Sequence, residues 1–191
     1  MRFFHYLALL VFFADLPVPL YWFILHPFSR FWRALVRPAF YFAGFGSWSL
    51  GAFFVIHFRN KLLAAGAPSG FAAFVGATLI LADGYVLYRA GKDLGHGKLV
   101  GRAELTGKTE LVATGIYRHI RHPRYAGMIA SVAGACLLAG SNWAVEISVI
   151  WFALVMDMIF LEEREMRARF GPEYDSYSRD VPGFFPRILH H

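Results

Sequence analysis

The sequence predicts an all-α, polytopic integral membrane protein with about five transmembrane helices, and three observations predict it. Of 191 residues, 57% are apolar and 17% charged, against about 45–50% and about 25% in soluble domains. Five apolar stretches each approach the roughly 20 helical residues that a hydrocarbon core of about 30 Å requires. The lysines and arginines gather on one side of the arrangement those stretches imply. Together these observations exclude a disordered tail and argue against an ordinary soluble enzyme. A lone Cys136 also excludes an internal disulfide and a zinc site built on several cysteines.

The stretches cover residues 3–24, 38–56, 70–88, 123–138 and 143–161. The first is too long for the apolar region of a signal peptide, and no small-residue cleavage site precedes Tyr21-Trp22-Phe23. Asp15, Pro17 and Pro19 lie in its middle, which predicts a kinked or broken helix. The fourth and fifth are joined by residues 139–142 alone. They are therefore expected as antiparallel neighbours in a tight C-terminal hairpin. Gly127 with Ser131, and Ala130 with Gly134, have the spacing of small residues that lets membrane helices approach closely. One structural domain is expected, with the first three spans in residues 1–90 and the connection, hairpin and tail in residues 91–191.

Charge sets the orientation. Sixteen of the nineteen cations fall on one face: three at Arg30, Arg33 and Arg37, eight from Arg89 to Arg124, and five from Arg164 to Arg187. By the positive-inside rule this face is cytoplasmic, with the amino terminus outside and the carboxyl terminus inside, in a plasma (inner) membrane. The net charge of +6 thereby follows from topology, and nucleic acid is not an expected partner.

Two polar segments share that face. The connection from Gly91 to His122, with glycines at 91, 95, 97, 101, 107 and 115, is far longer than joining two helices requires. The second segment, residues 162–191, opens with Glu162-Glu163 and a charged helix that Gly171-Pro172 should end. A short turn bearing Tyr174 and Tyr177 follows. The closing His190-His191 pair looks like an affinity tag and carries no functional argument.

Three constellations offer chemistry. The basic, aromatic run from Thr114 to Tyr125 leads into the fourth span, where Pro123 suits the first helical position. Arg121 and His122 beside that positive helix end suit a carboxylate, although arginine and tyrosine also collect at membrane interfaces for topological reasons. The Glu162-Glu163 pair sits where helix dipole and membrane face both favour cations. Adjacent helical residues point about 100° apart, so at most one faces the hairpin, the other meeting solvent or an arginine. An ion pair with Arg121, Arg124 or Arg167 is the structural alternative. His119 and His122 with Glu163 fall short of a metal site, because Pro123 interrupts the helical face and no further ligand has suitable spacing.

Leu111-Val112-x-x-Gly115-x-Tyr117, Arg121-His122-Pro123-x-Tyr125, Glu162-Glu163, Phe170-Gly171-x-x-Tyr174-x-x-Tyr177 and Val181-Pro182 resemble, in order and spacing, the carboxyl-terminal signature of the isoprenylcysteine carboxyl methyltransferase and phospholipid methyltransferase superfamily. The resemblance covers roughly residues 95–187. It implies a membrane-bound methyltransferase that uses S-adenosylmethionine and a lipophilic methyl acceptor reached from the bilayer. It further implies that Leu111, Val112, Tyr117, His122, Pro123, Arg124 and Tyr125 line the cofactor site, with Glu162 or Glu163 holding its amino group. The sulfonium is already activated, so in-line transfer needs orientation and exclusion of water rather than a nucleophilic side chain, and no catalytic residue is assigned. In the isoprenylcysteine enzymes an arginine precedes the glutamates by about one turn. Here residues 157–161 contain none, so the acceptor class extends to small lipophilic molecules and phospholipid amines.

Two other readings compete. A membrane reductase using NADPH could conscript Arg118, Arg121 and Arg124 for phosphates, but the glutamate pair would repel that ligand. A small transporter or non-enzymatic membrane partner would use Asp15, Asp83, Glu146 and Asp157 inside the spans, yet no repeat relates them.

Overall fold

The computed structural model describes residues 2–25, 36–94 and 110–185. The described residues form α1 (Arg2–Asp15), α2 (Val18–Leu25), α3 (Val36–Leu62), α4 (Gly70–Leu94), a 3-10 turn (Gly115–Arg118), α5 (Pro123–Ala139), α6 (Asn142–Phe170) and α7 (Pro172–Asp180). No strand occurs among them. Much of the expected glycine-rich connection, Arg30, Arg33, Arg187 and His190-His191 lie outside the described residues.

Among the described residues four segments are long and apolar enough to cross a membrane: Arg2–Ile24, Tyr41–Leu62, Gly70–Asp93 and Asn142–Phe170. The fourth predicted span, α5, has 17 residues, about 26 Å of helix, and is shorter than the others. Its ends are set locally by Pro123 at the start and by Gly140, whose φ of 65° is left-handed, at the finish. Instead of lipid, α5 meets protein: nine of its residues are buried, among them Met128, Val132, Ala135 and Leu138.

The first span breaks where expected. Pro17 and Pro19 lack the N–H groups that would serve the carbonyls of Phe13 and Asp15, so α1 stops at Asp15 and α2 begins at Val18. A distant indole replaces one missing donor, with Trp151 Nε1 donating to the Asp15 carbonyl at 3.0 Å. Helix α3 packs into the bend at Gly51, where a Cβ would lie 2.4 Å from Pro17 Cγ.

The small-residue stripe of α5 has a different partner from the one anticipated. Residues 139–142 do make α5 and α6 neighbours, with Ser141 Oγ accepting from Ala144 N to cap α6 and Cys136 Sγ lying 3.2 Å from Ser148 Oγ. The tight glycine contacts of α5, however, are with α4. A Cβ on Gly134 would lie 2.6 Å from the Gly76 carbonyl, and one on Gly76 would lie 2.8 Å from the Gly134 carbonyl. About two helical turns toward Pro123, a Cβ on Gly127 would lie 2.4 Å from Asp83 Oδ1. Between these glycines the buried Ser131 hydroxyl lies beside the carboxyl groups of both Asp15 and Asp83. Helix α5 is thus clasped between α1 and α4, and two acidic residues of separate spans meet on it. Phe12, Leu62, Leu138, Val155 and Met158, from α1, α3, α5 and α6, fill the shared core. Phe42, Phe45 and Phe53 on α3 and Phe71, Phe74 and Leu81 on α4 face outward, as helices bathed in lipid require.

Candidate active site

The end of α4, the 3-10 turn, the start of α5, the end of α6 and α7 gather at one end of the bundle. Gly171, at φ 53°, stops α6, and Pro172 opens α7, so the charged extension of α6 turns back across the start of α5. The residues before Pro123 then bond the chain beyond α7: Arg121 N donates to the Pro182 carbonyl at 2.9 Å and His122 N to the Gly183 carbonyl at 3.0 Å.

Glu163 is the hub. Its Oε1 accepts from Arg121 Nε at 2.8 Å and lies 2.8 Å from His122 Nε2, while its Oε2 accepts from Arg167 Nη2 at 2.9 Å. Glu163 and His122 are both buried. Arg121 also donates through Nη1 to the Ser178 carbonyl at 2.8 Å and to the Val181 carbonyl. The carboxylate that Arg121 and His122 suit is therefore one of the protein's own, and the ion pair is made by the second glutamate. Arg167 lies one turn beyond Glu163 and also approaches Asp175, at 3.7 Å.

Glu162 is half-buried, and its charge acts on both Tyr117, where Arg124 opposes it, and Tyr174. Burial, reinforced by the Glu162 charge, pushes the Tyr117 phenol well above its ordinary range, with Arg124 opposing. The Tyr117 carbonyl is fixed by the Tyr177 hydroxyl at 2.7 Å. Burial pushes the Tyr177 phenol up to about 12, keeping it a donor. Tyr174 is buried and hydrogen-bonded to Glu163, and its phenol is likewise raised, first by burial and then by the Glu163 charge.

Among the nine residues proposed from sequence, His122 and Glu163 are in direct contact, and Tyr117, Arg124 and Glu162 form a second group. Pro123 opens α5, and the ring of Tyr125 lies 5.9 Å from that of His122. Leu111 and Val112 are half-buried in the stretch before the turn. His119 is exposed whereas His122 is buried, so the two do not face a common centre. Among the described residues no three metal-ligating side chains converge.

Sequence reasoning assigned no role to Arg121, Arg167, Tyr174 and Tyr177 beyond motif membership or charge pairing, and none to Asp93. Signals existed: Arg167 is four residues from Glu163 on one helix, and Asp93 is an acid in the last turn of α4.

The phospholipid methyltransferase family model matches residues 71–173, from α4 into α7. The nickel-cobalt-cadmium resistance protein NccN of Alcaligenes xylosoxydans xylosoxydans is 36% identical over 80 residues, covering 42% of this chain and 38% of that protein. The protein-S-isoprenylcysteine O-methyltransferase of Schizosaccharomyces pombe is 34% identical over 83 residues, covering 41% and 34%. A probable protein-S-isoprenylcysteine O-methyltransferase of Oryza sativa subsp. indica is 27% identical over 123 residues, covering 62% and 63%. The chain thus spans less than two thirds of the length of each of these relatives, and no solved structure matches it. With more than half its length matched by that model, and the matched helices assembling the charged end of the bundle, the chain belongs to the phospholipid methyltransferase family.

Proposed function

We propose that the protein transfers a methyl group from S-adenosylmethionine to a lipophilic acceptor at the cytoplasmic membrane face. The observation that carries this reading is the division of labour between the two glutamates. Both oxygens of Glu163 are engaged by Arg121, His122 and Arg167, so Glu163 braces the start of α5 against the end of α6. Glu162, one residue earlier and with its charge acting on Tyr117, supplies the carboxylate for an ammonium group. The donor set fits the cofactor: Glu162 matches its amino group, Arg124 its carboxylate, and the rings of Tyr117 and Tyr125 its aromatic and cationic parts. Leu111, Val112 and the His122-Pro123 backbone complete the lining.

When bound, S-adenosylmethionine supplies a methyl carbon already activated by its sulfonium. The chain's own residues bind and orient: Tyr117 is held by Tyr177, and the neutral phenols of Tyr117 and Tyr174 add hydrogen-bonding capacity without adding charge. The apolar helices give the acceptor a path from the bilayer and keep water from the site. The acceptor class remains an isoprenylcysteine-like carboxylate, a small lipophilic molecule or a phospholipid amine. The reductase reading is weakened by the ion pairs, since Arg121, needed for phosphates, is committed to Glu163.

Equilibrium binding of S-adenosylmethionine to the detergent-purified protein tests the proposal. Wild type should bind saturably, and Glu162→Gln should weaken binding about tenfold, the loss of one charged hydrogen bond, without lowering the melting temperature. Absence of saturable binding at millimolar cofactor, with NADPH binding instead, would overturn it. A tritiated-methyl screen over lipid extracts then sorts the acceptors.

A further inference from the structure

Asp93 occupies the last turn of α4, where the carbonyl end of the helix disfavours an anion. Its partner lies across the connection to α5. Oδ2 accepts from the Ile116 backbone N–H at 2.7 Å. That N–H stands at the start of the 3-10 turn, where helical backbones leave donors unserved. Thr114, placed to cap the turn locally, makes no side-chain cap bond. A carboxylate 23 residues away does the capping instead.

The fit depends on Gly115. Its φ is 59°, in the left-handed region, and a Cβ there would lie 2.1 Å from Asp93 Oδ2 and 2.2 Å from Cγ. The carboxylate therefore rests on a backbone surface that only glycine exposes. Two residues on, the Tyr177 hydroxyl holds the Tyr117 carbonyl at 2.7 Å. The turn is clamped by α4 at one point and by α7 at the other, and Tyr117, which it carries, lies within the electrostatic reach of Glu162, Arg124 and Asp93.

We infer that Asp93 is a positioning residue for the methyl-donor site: by capping the Gly115–Arg118 turn from α4 it sets Tyr117 against Glu162. The role rests on the methyl-transfer reading and acts through the turn, since Asp93 itself need not touch cofactor.

The test compares Asp93→Ala and Asp93→Asn in the full-length, detergent-purified chain. Asparagine keeps an acceptor oxygen for Ile116 N–H, and alanine does not. Asp93→Ala should raise the KM for S-adenosylmethionine about tenfold while kcat changes less than about threefold, and Asp93→Asn should recover to within about threefold of wild type. Amide hydrogen exchange at Ile116 should accelerate in Asp93→Ala, with melting temperatures unchanged. An unaltered KM in Asp93→Ala, no recovery in Asp93→Asn, or a melting loss that tracks the KM change overturns the inference. If wild type binds no S-adenosylmethionine, the methyl-transfer reading fails on its own. Ile116 exchange then decides the cap: unchanged exchange in Asp93→Ala overturns it, and faster exchange upholds it.

Discussion

His122 Nε2 and Glu163 Oε1 lie 2.8 Å apart, joining the start of α5 to the charged extension of α6 across 41 residues of chain. Two arginines share the same carboxylate, one of them largely buried and the other half-exposed. The contact ties the start of α5 to the end of α6, because a buried carboxylate with four partners, Arg121, His122, Arg167 and Tyr174, leaves no unsatisfied charge to drive them apart.

Removing the central charge should therefore damage folding more than removing an outer one. Glu163→Gln strips the partner from Arg121 and His122 in a buried setting and should destabilise by about 3 kcal/mol. Arg167→Ala, with half its side chain exposed, should change stability by less than about 1 kcal/mol. Thermal melts in one detergent compare the two, and equal losses would show that the cluster is not organised around its buried members.

Alkaline titration reports on the Tyr177 clamp. Burial raises its phenol to about 12, so the folded state holds the proton more tightly than the unfolded chain, whose tyrosine titrates near 10. The stabilisation is complete below that lower value and is lost as pH rises through the folded value. Tyrosinate absorbance should show one fewer late-titrating phenol in Tyr177→Phe, which also loses the bond to the Tyr117 carbonyl.

Glycines of α4 and α5 should separate into tight and open classes. Gly134→Ala meets the Gly76 carbonyl, a backbone atom that cannot move aside, and should destabilise by about 1–3 kcal/mol. Gly127→Ala meets the Asp83 carboxylate, so its penalty should shrink when combined with Asp83→Ala, a coupling a double-mutant cycle reads directly. Gly84→Ala meets nothing within 4 Å and should be neutral or stabilising by up to about 1 kcal/mol through helix propensity.

Trp151→Phe keeps the ring but removes the N–H that serves the Asp15 carbonyl. Because Pro19 cannot supply that donor, the carbonyl is left unsatisfied, at about 1–3 kcal/mol. Val18→Ala, which leaves the bond in place, is the packing control for the same bend.

Several features were legible because their causes are local. The break at Pro17 and Pro19, the start of α5 at Pro123 and the stop at Gly171-Pro172 follow from missing N–H groups and left-handed glycine. Hydropathy revealed the long helices by the same logic, and the out-of-place glutamate pair pointed to the charged end of the bundle. Hydropathy left open how much of α5 is covered by protein and how much by lipid. The apolar count does not distinguish a helix wrapped by protein from one wrapped by lipid, since the two surroundings are similarly apolar.

What the sequence determined by itself is the all-α membrane class, the helix ends set by proline and glycine, and the concentration of polar chemistry in residues 91–191. Only the tertiary structure decided that Glu163 is the brace and Glu162 the glutamate beside Tyr117, that the α5 glycines serve α4, and that Asp93 caps a turn 23 residues away. The physical reason is that these choices depend on how each helix is rotated about its own axis. Adjacent residues differ by about 100° on a helix, and that angle is set by contacts between segments distant in sequence, such as the meeting of His122 with Glu163.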